Sequence, residues 1–128
     1  MTDSAATPEP LRVLLVDPDE RVRESLAGLL CIGQRCLVVG SAGTAAAATD
    51  MAADLVPDIV VIDPRLPDED GAALIAHFRE VAPGTRVLVL NWSDTADLTS
   101  GADGYVRKTF RPQELIDAVV ATVARTPA

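Results

Sequence analysis

The chain has 128 residues, of which 48% are hydrophobic and 23% are charged, and its formal net charge is −8. This composition is typical of one globular domain, and no apolar run is long enough to predict a transmembrane helix. The acidic balance argues against direct nucleic-acid binding, which needs clustered Lys and Arg side chains.

The two ends of the chain differ from its middle. Residues 1–10 are polar and contain two prolines, so we expect a disordered N-terminal arm before a single domain over residues 11–125 and a tail over 126–128. The start lacks the basic and apolar regions of a secretory signal, so we expect a cytoplasmic protein that does not bind membranes. No further domain is predicted after the last helix, which fits a free-standing domain or a piece of a longer protein.

Strand-like and helical patterns alternate through the first half. Residues 11–17 form a short apolar run that ends in an acid, and residues 20–32 place apolar side chains on one helical face. A second apolar run, residues 36–39, precedes an Ala-rich segment, residues 44–55, that favours a helix with Thr44 as its N-cap. Both cysteines of the chain fall in this half, and we interpret them as small core residues.

The same alternation continues through the second half. The β-branched run at residues 59–62 is typical of a strand buried on both faces. An acidic stretch after it, residues 68–70, is predicted to be a solvated turn whose last residue, Asp70, caps the next helix. The remaining predicted elements are a helix over residues 70–81, strands over 86–91 and 104–108, one or two helical turns within 92–103, and a last helix that begins at Pro112.

Five strands alternating with helices predict an α/β fold with a parallel, doubly wound sheet and helices on both faces. Ligands bind such sheets at the carboxyl ends of the strands. Asp17, Asp63, Asn91 and Lys108 lie at the ends of four different predicted strands. We therefore expect these side chains at one edge of the sheet.

Two carboxylates and an ammonium group at this edge suit phosphoryl transfer. Asp63 would attack phosphorus, as carboxylates do in aspartyl-phosphate enzymes. Asp17 would bind Mg²⁺, which takes one or two carboxylates together with water and phosphate oxygens, and Lys108 would balance the phosphoryl charge. The alternatives are a solvated turn acid for Asp17, an exposed lysine for Lys108, a turn former for Asn91 and a plain strand-end acid for Asp63.

Local motifs carry a resemblance to a known family. They are Leu14-Leu15-Val16-Asp17, Asp63 followed by Leu66-Pro67 and Asp70-Gly71, Gly101-Ala102-Asp103-Gly104-Tyr105, and Lys108 followed by Phe110 and Leu115. Over nearly all of residues 11–123 the chain resembles the receiver domain of two-component response regulators. The resemblance implies a flavodoxin-like sheet with strand order 2-1-3-4-5.

The resemblance also implies a function and its partners. Asp63 would accept a phosphoryl group from a histidine kinase or phosphotransfer protein and switch a surface that binds a downstream protein. The only reaction expected of the domain itself would be removal of its own phosphoryl group. The resemblance is also compatible with a homodimer. The implied metal site comprises Asp17, Asp63 and the backbone carbonyl of Arg65. Lys108 and Asn91 would contact the phosphoryl group. Tyr105 would be the switch residue, or it would simply pack at the sheet edge.

The chain departs from the family at four places. Pro18 stands where the family has a second acid, and Asp19 is the nearby carboxylate that could replace it as a Mg²⁺ ligand. Asn91 replaces a hydroxyl residue, and its amide can still donate. Thr109 replaces a proline, for which we expect a trans peptide bond or a local rearrangement. The segment over residues 92–103 is shorter than the family's fourth helix with its loops.

These departures leave two further functions open. A receiver fold that no longer accepts phosphate would signal by protein binding alone. The Asp17-x-Asp19 pattern after an apolar strand is also similar to that of haloacid-dehalogenase-type phosphatases, in which the first acid is the nucleophile. That alternative needs a late acidic pair and usually a cap domain, and the sequence shows neither.

Overall fold

A computed structural model describes residues 9–91, 101–108 and 111–124. Its strands are β1 (Leu11–Val16), β2 (Cys36–Ala42), β3 (Ile59–Ile62), β4 (Arg86–Asn91) and β5 (Gly104–Arg107). Its α-helices are α1 (Glu20–Leu30), α2 (Ala45–Leu55), α3 (Gly71–Val81) and α4 (Pro112–Ala124), and a short 3-10 helix (Ile32–Gln34) follows α1. Among these described helices, none has both the length and the apolar character to cross a membrane.

The five strands form one parallel sheet, as the alternation of elements predicted, and their order is β2-β1-β3-β4-β5, as the resemblance implied. The register places Val16 beside Ile62, so β1 and β3 end at the same level. Beyond these residues the backbone N–H of Asp63 still donates to the carbonyl of Val16 at 2.9 Å. Asp17 and Asp63 therefore leave neighbouring strands side by side.

Side chains alternate between the two faces of the sheet and form two apolar cores. One core lies under α2 and α3, and the other lies under α1 and α4. The residues that β1, β3 and β4 contribute to the first core are Leu14, Val16, Val60, Ile62, Val87 and Val89, and those that they contribute to the second are Val13, Leu15, Ile59, Val61, Leu88 and Leu90. Burial on both faces explains why these strands appear in the sequence as continuous apolar runs.

Strand β2 is longer than the sequence predicted, because it continues past Val39 to Ala42. A register shift lies between Val13 and Leu14 of β1, and beyond it Gly40 pairs with Leu14. The apolar run ends at Val39, so the sequence pattern gave no sign that the small residues after it would extend the strand. The longer β2 lies directly beside the end of β1 that leads to Asp17.

Two predictions about single side chains were only partly right. Both cysteines were predicted to lie in the core; Cys36 is buried, but α1 ends at Leu30 and the next residue, Cys31, is exposed. Asp70 occupies the predicted N-cap position of α3 but makes no side-chain capping hydrogen bond. Val81, the last residue of that helix, is 37% exposed.

Candidate functional site

Three of the four predicted strand-end side chains meet at the carboxyl edge of the sheet. The ammonium group of Lys108 donates to Oδ2 of Asp63 at 2.8 Å and also to Oδ2 of Asp17. All three residues are buried, with relative exposures of 1% for Asp17, 1% for Asp63 and 5% for Lys108. A solvated turn acid at Asp17 and an exposed lysine at Lys108 are therefore both wrong.

The sheet order brings these residues together. Asp17 and Asp63 follow the adjacent strands β1 and β3, whereas Lys108 follows β5, which lies two strands from β3. A charge this deeply buried is tolerated only when it is paired. Lys108 is also the only lysine in the chain, and every other basic side chain apart from the single histidine is an arginine. The single lysine in a chain that otherwise uses arginine was a second sequence signal for Lys108, in addition to its position at the end of a strand.

The side chain of Arg65 is an unexpected member of the site. Its Nε donates to Oδ1 of Asp63 at 3.1 Å, and its Nη2 donates to Oδ2 at 2.9 Å. Its backbone N–H also donates to Oδ1 at 2.9 Å, which closes a turn over Pro64. The Asp-Pro sequence is a turn signal and could have indicated the backbone contact, but the resemblance had drawn attention only to the Arg65 carbonyl.

These contacts set the electrostatics of Asp63. Burial alone would raise the pKa of this carboxyl group, but the side-chain hydrogen bonds from Arg65 and Lys108, and then the Arg65 backbone N–H, outweigh it and lower the pKa from 3.8 to about 2. The same hydrogen bond raises the pKa of Arg65. Asp63 is therefore a carboxylate at neutral pH.

Asp19 has a structural role at the start of α1. Its Oδ1 accepts hydrogen bonds from the backbone N–H groups of Arg21 at 2.9 Å and Val22 at 3.4 Å, so it caps the N-terminus of this helix. Its own N–H donates to Oδ1 of Asp17 at 2.9 Å. Asp19 thereby orients Asp17 through its backbone, while metal binding by its side chain stays a prediction.

The loop after Asp63 is held at several points. An isolated antiparallel bridge joins Arg65 to Asp70. At Gly71 an added Cβ would lie 2.6 Å from the Pro64 Cβ and 3.1 Å from its carbonyl oxygen, so only glycine fits there. The loop is thus closed by backbone contacts at both ends.

Asp68 is exposed to solvent, as predicted for this acidic stretch, and its side chain also connects the loop to α2. Its Oδ1 accepts from the N–H of Ala45 at 2.8 Å, and its Oδ2 accepts from that of Ala46 at 3.1 Å. These bonds lower the pKa of Asp68. Thr44 caps the same helix as predicted, with its Oγ1 accepting from Ala47 at 3.2 Å.

Some predicted features fall partly or wholly outside the described residues. Asn91 is the last residue of β4, which lies between the strands that lead to Asp63 and Lys108, but its side chain lies outside the described part of the chain. The predictions for Thr109 and for most of the segment over residues 92–103 also fall outside the described residues. Tyr105 lies in β5 and is 40% exposed. Its role as a switch stays a prediction.

The donor chemistry at the site fits a hydrated Mg²⁺ ion. Asp17 and Asp63 supply carboxylate oxygens, and Mg²⁺ commonly binds one or two carboxylates while it keeps several waters. Within the described ranges, no group of three His, Cys, Asp or Glu side chains could hold a metal by itself. A Mg²⁺ ion bound here would need water or backbone oxygens for its remaining ligands.

A comparison with protein families identifies a match over most of the chain. The family described as response regulator receiver domain matches residues 13–120. Among curated proteins, the DNA-binding transcriptional activator DevR/DosR of Mycobacterium tuberculosis is 38% identical over 115 residues, which is 85% of this chain and 52% of that protein. Response regulator MprA of Mycobacterium sp. (strain KMS) is 34% identical over 122 residues, covering 91% of this chain and 52% of that protein. The chain spans about half the length of these relatives.

Solved structures give the same result. The signal receiver domain of the putative response regulator NarL from Mycobacterium tuberculosis superposes with a TM-score of 0.82 at 31% identity, covering 92% of this chain and all of that one. A LuxR-family two-component response regulator from Aurantimonas sp. SI85-9A1 superposes with a TM-score of 0.81 at 32% identity, covering 90% and 86% of the two chains. The chain belongs to the response regulator receiver domain family of two-component signalling.

Proposed function

We propose that this receiver domain accepts a phosphoryl group on Asp63. An Oδ atom of Asp63 would attack the phosphorus atom of a donor, the bond from phosphorus to the donor's leaving group would break, and an aspartyl phosphate would form. The carboxylate needs no general base, because its pKa of about 2 keeps it ionised. The proposal assigns to this chain the reaction that its family membership implies.

The observation that carries the proposal is the buried contact of Lys108 with Asp17 and Asp63. An ammonium group 2.8 Å from the attacking carboxylate would lie beside the transferred phosphoryl group, where it can offset the added negative charge. Lys108 is buried, so little water competes with it. We assign Asn91, at the end of β4, a further hydrogen bond to the phosphoryl oxygens.

We further propose that Asp17, Asp63 and the backbone carbonyl of Arg65 hold Mg²⁺. When bound, the ion supplies positive charge to the phosphoryl oxygens and orients the donor. Pro18 offers no side-chain ligand, and Asp19 uses one oxygen to cap α1, so fewer carboxylates are available than the family usually provides. We therefore expect weaker Mg²⁺ binding than in receivers that have the second acid.

The proposed partners follow from the family. A histidine kinase or phosphotransfer protein would donate the phosphoryl group in the cytoplasm, and a downstream protein would recognise the phosphorylated surface. DevR/DosR is named as a DNA-binding activator, but this chain matches about half of that protein. The proposal for this chain is accordingly limited to phosphoacceptor signalling. Its net charge of −8 argues against direct nucleic-acid binding by these residues.

A phosphorylation assay tests the proposal. The wild-type protein, Asp63→Asn and Asp17→Asn are incubated with acetyl phosphate and Mg²⁺, and their intact masses are measured. We expect one added phosphoryl group on the wild type and none on Asp63→Asn. Asp17→Asn should react more slowly, because it retains the nucleophile but loses a metal ligand.

Two other outcomes would contradict the proposal. If saturating Mg²⁺ and donor give no adduct on the wild type, the protein-binding receiver without phosphorylation becomes the better account. An adduct on Asp63→Asn that is lost in Asp17→Asn would place the nucleophile at Asp17. That second outcome would agree with the phosphatase alternative, which family membership otherwise disfavours.

A further inference from the structure

We infer that the side chain of Arg65 closes the unphosphorylated site by competing with a divalent cation for the carboxylate of Asp63. This inference rests on the proposed function, because it treats Asp63 as both the metal ligand and the nucleophile. It gives the Arg65 side chain a role separate from that of its backbone carbonyl. Arg65 would be a positioning residue that sets how readily the site is loaded.

The first argument is the occupancy of the Asp63 oxygens. A carboxylate offers about four lone-pair positions. Oδ1 accepts from the backbone N–H and Nε of Arg65, and Oδ2 accepts from Nη2 of Arg65 and Nζ of Lys108. All four positions are therefore in use, and neither a cation nor a phosphorus atom can approach an oxygen until one donor withdraws.

The second argument identifies the donor that withdraws. The side chain of Lys108 is 2% exposed and contacts two carboxylates, so its removal would leave buried charges unpaired. The side chain of Arg65 is 63% exposed, and its guanidinium group can turn into water while the backbone bond to Asp63 stays in place. Because the Arg65 partner of this ion pair is largely exposed and water can solvate its released guanidinium group, withdrawing Arg65 costs less than withdrawing the buried Lys108.

The third argument is the charge of the site. With Arg65 in place, two carboxylates face two cations, so an approaching divalent cation meets no net negative charge. Once Arg65 turns away, Asp17 and Asp63 face Lys108 alone, and the site gains a net charge of about −1. Withdrawal of one side chain thus supplies a free lone pair and a favourable field together.

Mg²⁺ affinity tests the inference directly. Isothermal titration with Mg²⁺ compares the wild type with Arg65→Met, which keeps an extended side chain but removes the guanidinium group. We expect the Kd for Mg²⁺ to fall about tenfold, because a charge-assisted bidentate competitor is lost. Arg35→Met is the matched control, because the Arg35 side chain is similarly exposed and the substitution removes one positive charge away from the site. The Kd of this variant for Mg²⁺ should equal that of the wild type.

The same substitution made in the Asp63→Asn variant tests whether Arg65 acts through Asp63. In Asp63→Asn the acidic partner is gone, so adding Arg65→Met should change the Kd for Mg²⁺ by less than about twofold. An unchanged or weaker affinity in the single Arg65→Met variant would overturn the inference. A gain of equal size in Arg35→Met would also overturn it, because the effect would then come from overall charge.

The acetyl phosphate assay separates this inference from the proposed function. Tighter Mg²⁺ binding in Arg65→Met, with no adduct on that variant or on the wild type, would support the Arg65 competition and reject phosphorylation. An adduct on the wild type, with identical Mg²⁺ affinities in the two proteins, would support phosphorylation and reject the competition. If both proposals hold, Arg65→Met forms its adduct at lower Mg²⁺ concentrations than the wild type.

Discussion

At the scale of single residues, Lys108 joins the two buried acids at the carboxyl edge of the sheet. Asp17, Asp63 and Lys108 come from three different strand ends and are nearly inaccessible to water. Burying any one of them alone would be costly, because an ionised group loses its hydration. The three charges are stable in the interior only as a group.

We predict that Lys108→Met lowers the free energy of unfolding by about 3 kcal/mol at neutral pH, because it leaves two buried carboxylates without their shared cation. Urea unfolding measures the change. Adding Asp17→Asn to this variant should recover part of the loss, since one uncompensated charge is then removed. If the double variant is less stable than Lys108→Met, charge compensation does not explain the role of Lys108.

The sequence predicted the residues of this cluster better than their contacts. Asp17, Asp63 and Lys108 were placed correctly because each follows a predicted strand, and the carboxyl ends of parallel strands lie at one edge of the sheet. The Arg65 guanidinium was missed, because a long exposed side chain on a loop can take many directions. The contact of Asp68 with α2 was missed as well, since it joins residues 23 positions apart that share no pattern.

At the scale of elements, periodicity predicted the existence and order of the described strands and helices. All five strands were predicted. The strands β1, β3 and β4 are buried on both faces and so form apolar runs, whereas β2 and β5 lie at the sheet edges and carry exposed side chains. The extension of β2 over residues 40–42 was not predicted, because small residues carry little hydrophobic signal. The end of α1 was predicted at residue 32, whereas the helix ends at Leu30, because apolar residues continue past the point where the helix stops.

The end of α2 provides a prediction at this scale. Val56 follows the helix with φ of 44°, a left-handed conformation that is unfavourable for a β-branched residue, and its side chain is 55% exposed. We expect Val56→Gly to raise the free energy of unfolding by about 1 kcal/mol, because glycine adopts this conformation without strain.

Thermal and urea unfolding would measure the effect of Val56→Gly. Val81→Gly is the matched control, because Val81 is also partly exposed and ends helix α3, but it does not have a positive φ. That variant should be less stable than the wild type, since glycine disfavours helices. Equal destabilisation in both variants would mean that the left-handed conformation of Val56 costs nothing.

At the scale of the whole molecule, the site contributes to stability in a pH-dependent way. Folding lowers the pKa of Asp63 from 3.8 to about 2, so the folded state binds this proton less readily than the unfolded state. The contribution is complete above the unfolded pKa and is lost as the pH falls through the folded pKa. A shift of this size corresponds to about 2 kcal/mol.

We therefore predict that, between about pH 5 and pH 2, the wild type loses about 2 kcal/mol more stability than Asp63→Asn, which cannot titrate at this position. Urea unfolding at a series of pH values measures both proteins. Asp50→Asn, an exposed acid on α2, controls for the loss of one charge. Parallel pH profiles for the wild type and Asp63→Asn would contradict the assignment of the lowered pKa to Asp63.

The strand order and the parallel sheet were predicted correctly for the molecule as a whole, because the family resemblance and the alternation of elements led to the same topology. Site chemistry depends on finer detail. The effects that we propose for Pro18 and Arg65 on metal binding depend on side-chain positions that a sequence pattern does not contain. The fold is therefore better determined by the sequence than the activity of the site.

Chemical mapping of the phosphorylated residue tests the central claim most directly. Wild-type protein treated with acetyl phosphate and Mg²⁺ is reduced with borohydride, which converts an aspartyl phosphate to homoserine, and its peptides are sequenced by mass spectrometry. We predict homoserine at position 63 and at no other acid. Homoserine at position 17, or none at any position in protein incubated with saturating donor, would contradict the assignment of Asp63 as the phosphoacceptor.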